Sequence, residues 1–431
     1  MTDVSIVMPC LNECGTLGSC IAAAQRALDI LKTRHQLAGE IVVADNGSTD
    51  GSQELGRSLG ARVVDVARRG YGAAVSGGFA AANGRYLVMG DADGSYDFVE
   101  AVPMVEALMN GADLCMGSRF KGGIRPGAMP WKNRYLGNPV LTGILNLLFR
   151  SKVDDAHCGL RALTKRCFLK LRLEGAGMEL ASEMVIKAAL LNQRIAEVPV
   201  TLSPDGRGRP PHLRPWRDGW RHLRYLLMLS PSWLFALPAA LLGTVSLAIL
   251  MTITVTWLSH AEVTRFGNYW AIMAGSGLTL SHIGIVLALA GQLYGIRERY
   301  RTASGLLQVL APWLTLEAML ITGLGAIATG LAILIGVVAY WSAHNLAAIA
   351  NVLPAVVGTC AIAIGTQNIL GGFLLAIVSG NDAELLQARS LPSSSHATAR
   401  SQPVVEESAR RRASALPVAV ESAAAPLDRA I

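Results

Sequence analysis

The N-terminal half of the chain alternates short apolar runs with longer amphipathic ones. Apolar runs bounded by Gly, Asn, Asp and Pro predict strands at 4–9, 40–45, 62–66, 85–90, 113–117 and 195–200. Helical spacing lies between several of them, for example at 16–32 and 99–109. This alternation predicts an α/β domain with a mainly parallel sheet and helices on both faces. The pattern then changes. Between 231 and 380 four runs, 233–258, 269–296, 312–341 and 346–378, each exceed the roughly 20 apolar residues that cross a hydrocarbon core. Between the halves, "WRDGWRHLRYLL" sets Trp216, Trp220, Leu223 and Leu227 on one helical face with Arg217, Arg221 and Arg224 beside it, which predicts an interfacial helix over 216–230. The segment 381–431, rich in Ser, Ala, Arg and Pro, is expected to be a disordered tail. The expected organisation is thus a domain at 1–215, the interfacial helix, a four-span bundle at 231–380 and the tail.

Composition agrees with two different solvents. Hydrophobic residues make up 52% of the 431 and charged residues 16%, an excess of apolar character concentrated after residue 230. The net charge of +7 does not point to nucleic acid, because the arginines cluster at 207–224 and 297–301, beside the apolar runs. The loop 297–301 holds three arginines, whereas 259–268 and 342–346 together hold one. Positive charge on the cytoplasmic side then places this loop, the N-terminal domain and the tail in the cytoplasm of an inner membrane. The N-terminus reads as a strand with no basic leader, in keeping with that side. Ionisable residues within the spans are limited to His282 and Glu317, too few for a transport path, so the bundle reads as an anchor. Seven cysteines without a CxxC pair read as reduced thiols, and a zinc site is not expected.

Chemistry concentrates where the strands end. In a parallel sheet ligands bind at the carboxyl ends of the strands. The first strand ends in "MPCLNE", with Pro9, Asn12 and Glu13, and the second in "VVADNGSTDGS", with Asp45, Asn46 and Asp50. After the third comes "ARRGYGAAVSGG", where Gly70 and Gly72 allow close backbone approach. The fourth ends in "MGDADGSYDF", crowding Asp91, Asp93 and Asp97; the fifth ends in "MGSRF", with Arg119. Each motif alone is weak, a capped turn or a surface ion pair. Their order at successive strand ends is what counts, because one ligand could touch them all. Carboxylates at Asp45 and Asp50 suit a ribose or a base edge; Asp91 and Asp93 suit Mg²⁺ or Mn²⁺ bridging a diphosphate. A nucleotide diphospho-sugar meets all of these requirements.

At this point the residues resemble a family 2 glycosyltransferase of the GT-A fold, in the branch of dolichyl-phosphate mannose synthases and polyprenyl-phosphate glucosyltransferases, over about residues 3–225. The resemblance implies that Pro9, Asn12, Glu13, Asp45, Asn46 and Asp50 bind the nucleoside. Gly70 and Gly72 match a K-G-x-G-x-A loop with Arg69 in place of lysine, and Asp91-Ala92-Asp93 matches a D-A-D metal motif. Arg134 in "WKNRYLGN" matches an arginine that meets the acceptor phosphate, with Asn138 where serine is common. "DAHCGLRA" matches D-x-x-C-G through Asp155, Cys158 and Gly159; "GMELASEMV" offers Glu183. Two departures stand out. Ser95 replaces the glutamine of D-A-D-L-Q, leaving Ser95, Asp97 or water to complete the metal site. "GRGRPPHLRP" retains Arg207 of an R-x-x-G-x-S-K loop but not its Ser-Lys pair.

The implied reaction is single displacement, with inversion, of a hexose from UDP-glucose or GDP-mannose to a polyprenyl phosphate. Arg119, Arg134 and Arg207 would serve the acceptor, metal at Asp91 and Asp93 the donor diphosphate, and Asp155 and Glu183 would touch sugar hydroxyls or order the arginines. A processive polysaccharide synthase is the alternative enzyme, although its Q-x-x-R-W signature is absent from the sequence. A non-catalytic nucleotide-sugar-binding scaffold or transporter is the alternative from another class. A homo-oligomer is left open.

Overall fold

The computed structural model describes residues 2–206, 215–259, 266–303, 305–347 and 351–380. Among these residues eight strands form one sheet: β1 (Val4–Cys10), β2 (Gly39–Asp45), β3 (Arg62–Asp65), β4 (Tyr86–Met89), β5 (Leu114–Ser118), β6 (Gly123–Ile124), β7 (Arg161–Thr164) and β8 (Ile195–Leu202). Their order is β3-β2-β1-β4-β7-β5-β8-β6, and only β7 runs antiparallel to its neighbours, β4 and β5. The sheet is therefore mainly parallel, as the alternation of strand and helix requires.

Each central strand divides its side chains between two cores. Val4, Ile6 and Met8 of β1 point to one, beneath the helices Cys14–His35 and Val102–Met109; Val7 points to the other. The period of two in β2 repeats this, Ile41 and Val43 facing one way and Val42 and Ala44 the other. Helices on both faces explain why these strands are continuously apolar. Pro9 is tolerated within β1 because pairing to β4 stops at Val7. The second core also receives Leu145 and Phe149 from the helix Asn138–Phe149, Met184 and Val185 from Leu180–Leu190, and Leu226 and Leu229 from the end of the helix Pro215–Met228 and just beyond it.

Two strands escape the periodicity reading. β6 is only two residues long, and β7 begins with Arg161, a charged residue that is fully buried. Its guanidinium donates to three backbone carbonyls: Nε to Cys158 (2.8 Å), Nη1 to Ala181 (2.6 Å) and Nη2 to Ala156 (2.8 Å). Those bonds replace the hydration that burial removes.

Among the described residues four helices are long and apolar enough to cross a membrane: Ser232–Leu258, Asn268–Arg297, Leu316–Ala343 and Leu353–Ser379. The third begins later than the apolar run because Ala311–Trp313 makes a separate turn and the Thr315 hydroxyl caps Ala318 N–H at 3.2 Å. The loop between the second and third lies against the N-terminal domain: the Arg301 guanidinium donates to the Leu229 carbonyl at 2.6 Å, and Lys187 Nζ lies 5.8 Å from the centre of the Tyr300 ring. That loop and the N-terminal domain are on one side of the bundle.

The third and fourth helices meet through glycines. A Cβ at Gly330 would fall 2.6 Å from the Gly358 carbonyl, and one at Gly323 would fall 2.8 Å from that of Gly365. Small residues let backbones approach where no hydrophobic effect drives helices together. Gly330→Leu should therefore overpack this seam, at about 1–3 kcal/mol, and lower the melting temperature of the detergent-solubilised protein. Gly336→Leu in the same helix, where a Cβ meets nothing within 4 Å, should leave it unchanged.

Candidate active site

The carboxyl ends of the adjacent strands β2, β1 and β4 build one rim, and its polar residues first bind one another. Asn12, in the left-handed region at φ 59°, accepts from Thr49 N–H through Oδ1 at 2.8 Å, while its own N–H donates to Ser48 Oγ at 2.9 Å. Glu13, buried, donates its N–H to Ser52 Oγ at 3.0 Å. Asp50 accepts from Cys14 N–H at 2.9 Å and from the Ser52 hydroxyl and N–H. These bonds lock the turn after β1 to the turn after β2.

Asp45 sits at the floor of this rim. Its carboxylate accepts from Gly47 N–H (2.9 Å), Ser48 N–H (3.0 Å) and Gln53 Nε2 (2.8 Å). Burial works to raise its pKa, but the donors of Ser48, Gly47 and Gln53 outweigh that and hold it below the usual carboxylate range. Asp50 is lowered in the same way: burial opposes, and Ser52 and Cys14 prevail. Beside Asp45 a cavity of about 280 Å³ is lined by Gly47, Gln53, Asp65, Val66, Ala67 and Arg69.

Asn46 joins this floor to the next loop. Its Nδ2 donates to the carbonyls of Val66 (2.9 Å) and Arg68 (2.8 Å), and its Oδ1 accepts from Gly70 N–H at 2.8 Å. Gly70 has φ 127°, and a side chain there would strike the Ala176 carbonyl. Gly72 abuts the carbonyls of Gly175 and Gly177 in the same way. The close approach these glycines permit is to the segment 175–177, which is held by Glu183: Oε1 accepts from Glu174 N–H at 3.0 Å and Oε2 from Gly175 N–H at 2.8 Å. Glu183, fully buried, also pairs with Lys187 at 2.7 Å and bonds the hydroxyl of Tyr225, on the helix that leads to the bundle. Glu183→Gln keeps the size but removes the charge opposite buried Lys187. It should cost on the order of 1.5–3 kcal/mol, read as a lower melting temperature.

At the end of β4, Asp91 Oδ1 accepts from the Tyr71 hydroxyl at 2.9 Å, and Asp93, buried, accepts Ser95 N–H through Oδ1 at 2.9 Å. Ala92 lies between them, its carbonyl accepting the Thr16 hydroxyl at 2.7 Å. Burial, then the charge of Asp91, pushes the Tyr71 hydroxyl well up, so it stays protonated and donates. Gly159 lets this happen: a Cβ there would fall 2.6 Å from Asp91 Oδ2. Among the described residues no three His, Cys, Asp or Glu converge as a metal cage. Two carboxylates at a strand end fit a hard cation that takes its remaining oxygens from water or a bound anion.

At the end of β5 the structure joins two predicted residues directly. Arg119 Nε and Nη2 meet Asp155 Oδ2 and Oδ1 at 2.6 and 2.7 Å, and Arg119 N–H also donates to Oδ2 at 3.1 Å. Both side chains are buried.

The comparisons with known proteins meet this geometry. Residues 5–172 match the family described as Glycosyl transferase family 2, and residues 289–379 match the Glycosyltransferase family 2 C-terminal transmembrane region. The chain is 36% identical over 381 residues to the low-salt glycan biosynthesis hexosyltransferase Agl6 of Haloferax volcanii, covering 86% of this chain and 88% of that one. The chain is a family 2 glycosyltransferase. It is also 30% identical to a dolichyl-phosphate hexose transferase of Haloferax volcanii (46% of this chain, 82% of that one) and 30% identical to a dolichol-phosphate mannosyltransferase of Pyrococcus furiosus (48% and 58%).

As a membrane hexosyltransferase of GT-A fold, the protein places its other predicted residues as follows. Pro9 is buried in β1, level with Ala44. Arg134 lies in the turn Asn133–Gly137, half-buried, its guanidinium 5.4 Å from the Tyr135 ring centre and in no ion pair among the described residues. Arg207 falls outside the described residues; Gly206, before it, donates its N–H to the Asp93 carbonyl at 2.8 Å. Sequence reasoning passed over Tyr71, Tyr96 and Arg161. The Tyr96 hydroxyl accepts Gly159 N–H at 3.1 Å, so two tyrosines and a glycine frame Asp91. The available signal was a tyrosine within each acidic or glycine-rich strand end, "RGYG" and "DGSYD".

Proposed function

We propose that this membrane hexosyltransferase transfers one glucose or mannose, with inversion, from UDP-glucose or GDP-mannose to a polyprenyl phosphate at the cytoplasmic face of the inner membrane. The observation that carries the reading is the pair Asp91/Asp93 at the end of β4, on the same rim as the Asp45 cavity, in a domain tied to four apolar helices. Names printed for two relatives, a dolichyl-phosphate hexose transferase and a dolichol-phosphate mannosyltransferase, support a polyprenyl acceptor. The arginines of 297–301 support cytoplasmic placement of that loop and of the catalytic domain beside it.

Asp45, Gln53 and Arg69 offer acceptor, amide and cation to a base edge, and Asn46 and Glu183 keep the surrounding loops in place. Asp91 and Asp93 would hold Mg²⁺ or Mn²⁺, which supplies charge neutralisation for a departing diphosphate. A lipid monophosphate, with a second pKa near ~6, is largely dianionic at neutral pH and is itself the nucleophile. The protein's task is to position phosphates and neutralise their charge rather than to remove a proton. Asp155 orders Arg119, while Arg134, without a carboxylate partner among the described residues, is suited to the acceptor phosphate with Arg207.

Charge-assisted contacts to phosphate contribute on the order of 1.5–3 kcal/mol, roughly tenfold to a hundredfold. Arg134→Ala should lose that factor in transfer to lipid and keep donor binding measured by calorimetry; Arg134→Lys should recover part, lacking the planar fork. Parallel loss of donor affinity would move Arg134 out of the acceptor site. The reading as a whole is tested by incubating membranes carrying the protein with polyprenyl phosphate and a panel of labelled nucleotide-sugars. One nucleotide-sugar should label the lipid extract; label in no lipid fraction for any donor would refute it.

A further inference from the structure

The chain reverses sharply where the second apolar helix, Asn268–Arg297, ends. Arg299 takes a left-handed conformation (φ 61°), and the N–H groups of Tyr300 and Arg301 both donate to the Gly295 carbonyl at 3.2 Å. The Tyr300 ring is thereby laid against the helix end, where a Cβ at Gly295 would fall 3.0 Å from its Cε2. Arg301 ties the reversal down, donating to Gln292 Oε1 at 3.0 Å as well as to the Leu229 carbonyl. The position of the ring is therefore set by the membrane half of the chain.

What the ring meets belongs to the catalytic domain. Lys187, only 5% exposed, has its Nζ 5.8 Å from the ring centre. That ammonium donates to Glu183 Oε1 at 2.7 Å and to the Arg172 carbonyl at 2.7 Å. An ammonium has three donors, and the aromatic face supplies attraction on the remaining side while keeping water away. Dryness strengthens the Lys187–Glu183 pair, because charges interact more strongly at low dielectric. Tyr225, which bonds the same carboxylate, packs with Tyr300 against one core. Glu183 in turn holds the N–H groups of Glu174 and Gly175, and the Ala176 carbonyl next to them accepts Ala73 N–H at 3.1 Å. Ala73 lies in the first turn of the helix Tyr71–Ala81, whose Tyr71 hydroxyl holds Asp91. Contacts thus run without a break from the end of a membrane helix to the carboxylate at the end of β4. We infer that Tyr300 is a positioning residue of the donor site: the loop between the second and third apolar helices sets the segment 174–177, so the bundle tunes nucleotide-sugar binding besides anchoring the chain. The effect on donor binding rests on the function proposed above; the coupling of loop to segment does not.

The test compares the full-length wild type, Tyr300→Ala and Tyr300→Phe in nanodiscs by amide hydrogen exchange, which reads local opening. In Tyr300→Ala the amides of Glu174, Gly175 and Ala73 should exchange roughly tenfold faster, the scale of a desolvated cation–aromatic contact. Tyr300→Phe, which keeps the ring, should match the wild type, and β1 and β2 should keep their protection in both variants. Unchanged exchange at the three amides in Tyr300→Ala would overturn the inference. So would faster exchange that extends to β1 and β2, which would make Tyr300 a general support of the fold. Calorimetry with Mn²⁺ and either UDP or GDP reads the consequence. Affinity for the nucleotide that the wild type binds should fall by a like factor in Tyr300→Ala and return in Tyr300→Phe; full affinity in Tyr300→Ala would overturn the role in the donor site. A wild type that binds neither nucleotide would refute the proposed function, a failure that the exchange data separate from failure of the coupling.

Discussion

Asp155→Ala is expected to be the most damaging single change to the catalytic domain. The carboxylate is fully buried and accepts three N–H groups of Arg119, whose side chain is itself buried. Removing it strands a guanidinium that cannot lose its proton at any ordinary pH. Breaking one partner of a buried pair costs about 3–5 kcal/mol, far more than the pair contributes against an apolar replacement. The variant should therefore melt well below the wild type in detergent and lose transfer. The double variant Arg119→Met with Asp155→Leu, which removes both charges, should regain most of the stability but not the activity. If Asp155→Ala melts with the wild type, the pair is not the buried tie described.

Asp93→Asn should have the largest effect on chemistry with the least on structure. Asparagine has the size of aspartate and keeps an oxygen for Ser95 N–H, which Asp93 Oδ1 holds at 2.9 Å. What it removes is the negative charge that would face the proposed divalent cation. Losing a preorganised electrostatic contact of this kind costs about 10²–10³ in turnover. The melting temperature should stay at the wild-type value, and the Mn²⁺-dependent part of donor binding should vanish from calorimetry. Turnover near the wild-type rate would return the acidic cluster to the status of a turn.

Much of this was readable in the sequence because strand ends carry their own labels. An apolar run followed by Asp, Asn or Gly locates both a strand and its rim, and β1, β2, β4 and β5 all follow that rule. β7 does not. It is four residues long, lies antiparallel between β4 and β5, and opens with a buried arginine, which breaks the apolar signature. Its burial is legible only once the carbonyls of Ala156, Cys158 and Ala181 are in place around it. That Asp155 would order an arginine was an expectation of the resemblance, but which arginine, and the partners of Glu183, were hidden for a related reason: periodicity reports which face is apolar, not which distant loop a charge will meet. Asp155 is 36 residues from Arg119, and no local pattern links them.

The proposed transfer of a single hexose onto a lipid phosphate is decided by the mass of the lipid product. The purified full chain in nanodiscs, supplied with polyprenyl phosphate, Mg²⁺ and the accepted nucleotide-sugar, should yield the acceptor plus one hexose and an equal amount of nucleoside diphosphate. A ladder of longer saccharides, or released nucleoside diphosphate with an unmodified lipid, would contradict it.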